Sequence, residues 1–494
     1  MIEAYWPMAP IGGDKMNSKC LIQGLLLTLC LCTTEVKAEK VRPNVLLIAV
    51  DDLRPEIRIF DAQAMVTPNL DRLARSGVRF TRAYCNIATC GASRACLMTS
   101  LRPTPYRFRN YLTRVDQDAP DVVSLPALFK QHGYTTQSNG KIYHHQNDDL
   151  QAWSHTPWRP ENRSIWWAKP ENQPLEKNGR RMNGPAFEAA DVDQAEYPDF
   201  KICEKTLTDL HRLSKDDAPF FLACGFYRPH LPFVAPQKYW DLYPEEKIPL
   251  AENDYFPRDL PRAFRYTWGE LRSYRDIPKQ GPVSAATARN LVRGYRASVS
   301  FIDAQIGRLL DALEQNGVAD RTIVVLWGDH GWQLGEHGFW CKHTNFEVAT
   351  RVPLIIAAPG IPQDRICNRL VETIDIYPTL CDLASIPKPD HIQGKSLLPL
   401  LLDTDAVHKE FVFTRWGGGD AVRGDRYRYM EMRGEGGRGK LLARGLFDLR
   451  TDPGENQNLA DQPTYAAIQQ NLQKQLDAAR TDLAPPEKNH SPSK

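Results

Sequence analysis

The sequence predicts an α/β fold: a large, mostly parallel or mixed sheet sandwiched by helices, followed by a small C-terminal α+β portion. Three observations carry this prediction. Two short, continuous apolar runs each end in a pair of polar residues, helical signals lie between and around them, and after about residue 402 the texture changes to short β-rich runs separated by glycines.

The first run, VLLIAV at residues 45–50, ends in Asp51 and Asp52. A strand buried on both faces has this composition as it leaves a parallel sheet. The second, TIVVLWGDHG at residues 322–331, repeats the pattern and ends in Asp329 and His330. Thr67 stands where it can cap a helix, with Pro68 in the first turn, Leu70, Leu73 and Ala74 on one face and Gly77 as the stop. Tyr295, Val299, Ile302, Ile306, Leu309 and Leu313 recur at helical spacing just before the second strand. Ligands of such sheets sit beyond the carboxyl ends of the strands, so the two acidic pairs are expected to meet in space. Residues 145–200, with Trp153, Trp158, Trp166 and Trp167, have little periodicity. They read as a long structured excursion over the sheet, either a substrate wall or a packing layer. Beyond residue 402, FVFTRW, YRYMEMR and LLARGLFDLR read as strands of a small antiparallel sheet, and the amphipathic residues 464–483 as its one helix.

A chain of 494 residues that is 42% hydrophobic can bury a large core, which argues against disorder. Lys and Arg number 62 against 60 Asp and Glu, a net charge of +2. No global field recruits nucleic acid, and an anionic ligand must be met by locally clustered basic residues. From Met16, MNSKCLIQGLLLTLCLCTTEVKAEK shows a lysine, an apolar run from Cys20 to Cys32 and a small-residue cleavage site at residues 36–38, the pattern of an export signal. The run is shorter than the roughly 20 apolar residues of a membrane span, so no stable span is expected after its removal. The mature chain is expected in the periplasm or outside the cell, or in the lysosome of a eukaryote. Cleavage removes Cys20, Cys30 and Cys32 and leaves eight cysteines with no CxxC pair, which weakens a zinc site. One or two disulfides are compatible with export, and spacing does not assign them.

Asp51, Asp52, Asp329 and His330 bring three carboxylates and an imidazole to two strand ends. Grouped carboxylates repel unless a cation sits between them, and an oxygen-dominated set favours Ca²⁺ or Mg²⁺. The bland alternative is a turn-capping aspartate and a core histidine. In CNIATCGASRACLMTS, residues 85–100, Cys90 lies just ahead of a segment that can start a helix. Its sulfur would sit at a helix N-terminus, where backbone N–H groups favour an anion. Arg94, one turn on, adds a permanent charge suited to an oxyacid group, so the sharp reading is a nucleophile with an anion clamp.

Cys90-Gly91-Ala92-Ser93-Arg94 resembles the formylglycine signature of type I sulfatases, Cys-x-Pro/Ala-Ser-Arg, and GYTTQSNGKIYH at residues 133–144 resembles their second signature. GFYRPHLPF, WGDHGWQLGEHGFWCKHTNFEVATRVPLI and LFDLRTDPGENQNLA are similar to blocks of the iduronate-2-sulfatase branch and its bacterial relatives. The resemblance runs from about Pro43 to about Ala460. It implies an alkaline-phosphatase-like fold and one Ca²⁺ held by Asp51, Asp52, Asp329, His330 and a modified Cys90. A maturation enzyme would convert Cys90 to formylglycine, whose hydrate attacks sulfur and then collapses to the aldehyde, expelling sulfate. Arg94 would orient that group, Lys141 would bind sulfate and His144 would take the proton of the second hydroxyl. His230 and Lys342 would contact sulfate on the leaving-group side, with His230 as candidate general acid. The implied substrate is a sulfated carbohydrate, with a uronate 2-O-sulfate of a glycosaminoglycan-like polysaccharide as the leading example.

Ala92, Ser100 and Asn139 depart from the commonest residues of the two signatures, and Ala92 bears on which maturation system accepts the chain. Two other readings stay open. One is a phosphodiesterase or phosphonate monoester hydrolase of the same superfamily, disfavoured by a ligand set for only one metal. The other is a non-catalytic relative that binds sulfated glycan while Cys90 stays a thiol. The implied organisation is an upstream extension and signal at 1–38, a catalytic domain at 39–402, and a small C-terminal domain with a polar tail at 403–494.

Overall fold

A computed structural model of the chain describes residues 42–60, 62–160, 167–172 and 184–481. Strand β1 (Asn44–Val50) is buried at every residue, as an apolar run covered on both faces must be. Its side chains alternate between two cores: Leu46, Ile48 and Val50 enter one, and Val45, Leu47 and Ala49 the other. The remaining strands of this sheet are β2 (Val78–Tyr84), β3 (Thr135–Gly140), β4 (Phe220–Phe226), β5 (Thr322–Gly328), β6 (Arg351–Ala357), β7 (Arg365–Cys367) and β8 (Val371–Glu372). Their order is β7-β2-β6-β5-β1-β4-β3, with β8 also pairing β2. Strands β5, β1, β4 and β3 are parallel, while β6 runs antiparallel to both β5 and β2, so the sheet is mixed.

Helices α1 (Pro68–Arg75), α3 (Pro198–Leu213) and α4 (Ala285–Gln315) bury apolar residues in one core, and α2 (Cys90–Thr99) in the other. All six residues read as the apolar face of α4 are buried. The start of α1 differs from expectation. Thr67 stands at the cap position, but its hydroxyl accepts from the Arg58 N–H at 3.0 Å. The helix N–H groups are met instead by Asp303 of α4, whose Oδ1 accepts from Asn69 at 3.0 Å and from Leu70 at 2.7 Å. The helix ends with Ser76 as its C-cap, one residue before Gly77.

The described tryptophans of the long excursion are packing residues. Trp153 enters one core and Trp167 the other, at 3% and 2% exposure, and Trp158 packs against the core that holds Trp167. Trp166 lies outside the described residues, as does the predicted export signal. All eight cysteines of the described residues are buried free thiols, so Cys85 and Cys96 are separate core residues.

The C-terminal sheet is antiparallel, with β9 (Val412–Trp416), β10 (Gly419–Arg423), β11 (Tyr427–Arg433) and β12 (Leu441–Asp448) in sequential order. Leu472 and Leu476 of α5 (Ala466–Thr481) pack on Phe413, Val422, Tyr429 and Leu446. Strand β10 starts inside the glycine run that reads as a turn, and its pairing partners on both sides make it a strand.

Glu347 ties this sheet to the main one. Its carboxylate lies 2.5 Å from Arg428 Nη2 and 3.4 Å from Arg423 Nε, and accepts from Tyr84 Oη at 2.6 Å. Burial opposes its ionisation, but Arg428 and Arg423 hold it down at about 2, from 4.5. A depressed carboxylate contributes stability that is complete above the unfolded value and is lost as pH falls through the folded one. Glu347→Gln is therefore expected to be less stable than the parent by about 3 kcal/mol at pH 7, with the gap closing between pH 4.5 and 2. Urea midpoints across that range measure it, and a gap independent of pH would rule out the ion pairs as its source.

Candidate active site

Four neighbouring parallel strands deliver residues to one place. Asp51 and Asp52 follow β1, Asp329 and His330 follow β5, Lys141 follows β3, and His230 lies in the turn after β4. The register aligns these ends: Val50 pairs with Gly328 on one side and Phe226 on the other, and Gly140 with Gly225. Gly140 has φ +75°, and a Cβ there would lie 2.1 Å from the Gly225 carbonyl oxygen. Only glycine permits the turn that carries Lys141 inward. Cys90 opens α2, whose ten residues are all buried, and the Ser93 hydroxyl donates to the Asp329 carbonyl, pinning the helix to the end of β5. Lys342 arrives from the excursion between β5 and β6.

Arg94, with no exposed side-chain surface, organises the carboxylates. Its Nε donates to Asp329 Oδ2 at 3.0 Å, Nη2 to Asp51 Oδ1 at 3.1 Å, and Nη1 to the carbonyls of Lys141 and Ile142. Lys141 Nζ donates to Asp51. Lys342 Nζ lies 3.2 Å from both Asp52 oxygens and 3.0 Å from Glu270 Oε1. Asp52 sits at φ +61°, a conformation that aspartate tolerates. Its N–H donates to Asp329 Oδ1 at 2.9 Å, and its carbonyl accepts from Tyr295 Oη at 2.9 Å. His230 faces the Leu231 carbonyl with Nδ1 at 2.6 Å and Glu270 Oε1 with Nε2 at 3.0 Å. Two acceptors on one ring call for protons on both nitrogens.

The electrostatics follow from crowding in a buried site. Burial works against a Cys90 thiolate, but Lys141 and Lys342, with hydrogen bonds from His144 and His230, pull the thiol well below its ordinary range. Burial also opposes charge on His230, yet Asp52 and the Glu270 hydrogen bond push it up to about 10. Burial pushes Asp329 up to about 7, and Asp51 adds to the rise.

The donor set brought together here suits a cation. Ligand atoms of Asp51, Cys90, Asp329 and His330 lie within 4.8 Å of one another, as do those of Asp51, Asp52, Cys90 and His230. His330 Nδ1 faces the Gly331 carbonyl at 3.0 Å, while its buried Nε2 has no hydrogen-bond partner among the described residues. Nε2 is 3.3 Å from Asp52 Oδ1, out of line for a hydrogen bond. With Nδ1 held on a carbonyl, Nε2 faces the carboxylates of Asp329 and Asp52, which push the imidazole up to about 9 against burial; a cation held there would take the place of that proton. The oxygen-dominated set fits a hard divalent ion.

All ten site residues named from the sequence converge here. Glu270 and Tyr295 are additions. Glu270 sits in an irregular stretch with no motif around it, and Tyr295 reads as one more apolar residue of α4. Two departures from the signatures also have structural reasons. Ser100 ends α2 at φ 56° and ψ 27°, where glycine is the easy choice. Its hydroxyl ties the turn down, donating to the Ile374 carbonyl at 2.8 Å and accepting from the Gly394 N–H at 3.1 Å. Asn139 donates to Asp209 of α3 at 2.9 Å.

Residues 43–386 match the family model described as Sulfatase. The chain belongs to the sulfatase family. A second model, N-sulphoglucosamine sulphohydrolase, C-terminal, matches residues 335–482 of this sulfatase. The sulfatase is 34% identical over 461 residues to a sulfatase of Formosa agariphila, covering 87% of each chain. It is 33% identical over 383 residues to the iduronate 2-sulfatase of Mus musculus, covering 70% of this chain and 69% of that protein. The phosphonate monoester hydrolase of Agrobacterium radiobacter superposes with a TM-score of 0.73 at 24% identity, covering 90% of this chain and 96% of that one. That likeness shows the common alkaline-phosphatase-like fold alone.

Proposed function

We propose that this sulfatase is an exported sulfuric ester hydrolase that removes sulfate from a sulfated sugar of the uronate 2-O-sulfate kind, using one Ca²⁺ and a formylglycine made from Cys90 by a maturation enzyme. The observation that carries this reading is the setting of Cys90. It stands at a helix start, against His144 and His230, in the field of Lys141 and Lys342, with buried carboxylates within ligand distance. The likeness to an iduronate 2-sulfatase supports the choice of sugar. Export rests on the leader pattern, and no helix among the described residues is long and apolar enough to cross a membrane. The reading of residues 39–402 as the catalytic domain and 403–494 as the accessory one is supported by the main sheet ending by Glu372 and the second sheet beginning at Val412.

Asp51, Asp52, Asp329, His330 and the Cys90 position would hold the cation, which supplies Lewis acidity toward the sulfate oxygens. Formylglycine at Cys90 supplies a nucleophile that can release its own sulfate ester, which an ordinary hydroxyl cannot. Lys141 and Lys342 act as point charges on the sulfate. Arg94 aims Asp51 and Asp329 and favours their charged forms. His144 accepts a proton at the Cys90 position, and His230, protonated on both nitrogens, donates one to the departing sugar oxygen. Glu270 keeps His230 oriented and charged. Glu270→Gln is expected to lower kcat on an aryl sulfate about tenfold to a hundredfold, and an unchanged kcat would remove this role.

The decisive experiment combines the mass of the Cys90 peptide, from protein purified from its host, with sulfate release before and after chelation. The expected result is the aldehyde mass, with turnover lost to chelator and restored by Ca²⁺. An intact thiol in folded protein that binds but does not cleave sulfated glycan would favour the binding-only relative. Faster turnover of an aryl phosphate diester or phosphonate than of the aryl sulfate would favour the phosphonate hydrolase reading, which the common fold keeps in view.

A further inference from the structure

Beside His144 opens a cleft of about 560 Å³, within the roughly 300–1,000 Å³ of small-ligand sites. His144, His145, Gln146, Leu150 and Thr156 line it. The segment around Tyr111 stands next to it and rests directly on the first turn of α2. Gly91, the residue after Cys90, makes this possible, because a Cβ there would lie 2.3 Å from the Tyr111 carbonyl oxygen. The Tyr111 ring meets His144 edge-on, with centroids 5.7 Å apart, and stays 52% exposed. Leu112 and Leu150 are exposed as well. Arg114 clamps this segment to the cleft wall, its Nη1 donating to Asn147 Oδ1 and its Nη2 to the Asn147 carbonyl, both at 2.9 Å.

A half-exposed tyrosine beside imidazole, amide and hydroxyl groups suits a pyranose. The ring's C–H face covers the aromatic surface, and its hydroxyls meet the polar groups. We infer that this cleft binds the sugar ring adjoining the one that carries the sulfate, with Tyr111 as its platform and Gln146 and Thr156 as hydrogen-bonding groups. His144 lines this cleft and also faces Cys90, so a sugar ring held here would lie beside the sulfated one and the site would select a glycan over an isolated sulfated unit. This inference rests on the sulfatase reading above.

The test compares a small aryl sulfate with a 2-O-sulfated uronate tetrasaccharide, using the full chain and its Tyr111→Ala, Tyr111→Phe and Gln146→Ala variants. For Tyr111→Ala, the ratio of kcat/KM on tetrasaccharide to kcat/KM on aryl sulfate is expected to fall about tenfold, about 1.4 kcal/mol, through KM. Tyr111→Phe should restore it, and Gln146→Ala should lower it in the same direction. Equal losses on both substrates, or no change on either, would overturn the subsite. Calorimetric binding of the tetrasaccharide to a Cys90→Ala chain gives an independent reading. If the parent releases sulfate from nothing, the proposed function fails, while binding that weakens on adding Tyr111→Ala still upholds the subsite and binding that does not overturns it.

Discussion

Cys90→Ser is expected to fold normally and to lose sulfate-ester turnover by at least about ten-thousandfold, the scale on which removal of a nucleophile acts. Serine is close to cysteine in size and can occupy the first position of α2 equally well, so thermal unfolding should stay near that of the parent. Lys141, Lys342, His144 and His230 remain in place, so the variant should still bind a sulfated ligand while failing to turn it over. Initial rates on an aryl sulfate, taken with calorimetric binding, separate the two effects. A serine variant retaining more than about a tenth of parental turnover would be incompatible with a chemistry carried by this position.

The second large effect is expected at Arg94, and it should appear in stability as well as in activity. Its guanidinium is fully buried and bonds two carboxylates and two carbonyls. Arg94→Ala would leave Asp51 and Asp329 buried beside each other with their shared counter-charge gone. Breaking a buried ion pair from one side costs roughly 3–5 kcal/mol. Urea unfolding at pH 7 should register that loss, with turnover too low to measure. Arg94→Lys returns the charge without the planar fork that reaches both carboxylates, so it should recover part of the stability and little of the activity. A stability change below about 1 kcal/mol for Arg94→Ala would mean that the carboxylates are held apart by something other than this residue.

The parts visible in the sequence are those whose signal is local. Strands β1 and β5 announce themselves because a parallel strand covered on both faces must be apolar throughout, and the residues just after each are the chemistry-bearing ones. The face of α4 repeats at helical spacing for the same reason. Where a function is discharged by a distant residue, the local reading misleads. Thr67 has the right type for a cap, yet Asp303, 234 positions beyond Asn69, does the work. Trp153 and Trp167 stand in an aperiodic stretch that reads as either a substrate wall or a packing layer, and only the structure shows that both fill core space. Strand β10 begins in glycines that look like a turn, and Glu270 carries no motif.

The sequence by itself determined the fold class, the two acidic strand ends and the position of Cys90 at a helix start, while Lys141, His144, His230 and Lys342 entered only through the resemblance to type I sulfatases. Each depends on side-chain period or on a short contiguous motif, which the chain order preserves. Only the tertiary structure decided which charges compensate which: Arg94 between Asp51 and Asp329, Lys342 between Asp52 and Glu270, and His230 with an acceptor on each ring nitrogen. Coulomb attraction and hydrogen bonding depend on distance through a buried, low-dielectric interior, and separation along the chain carries no information about that distance.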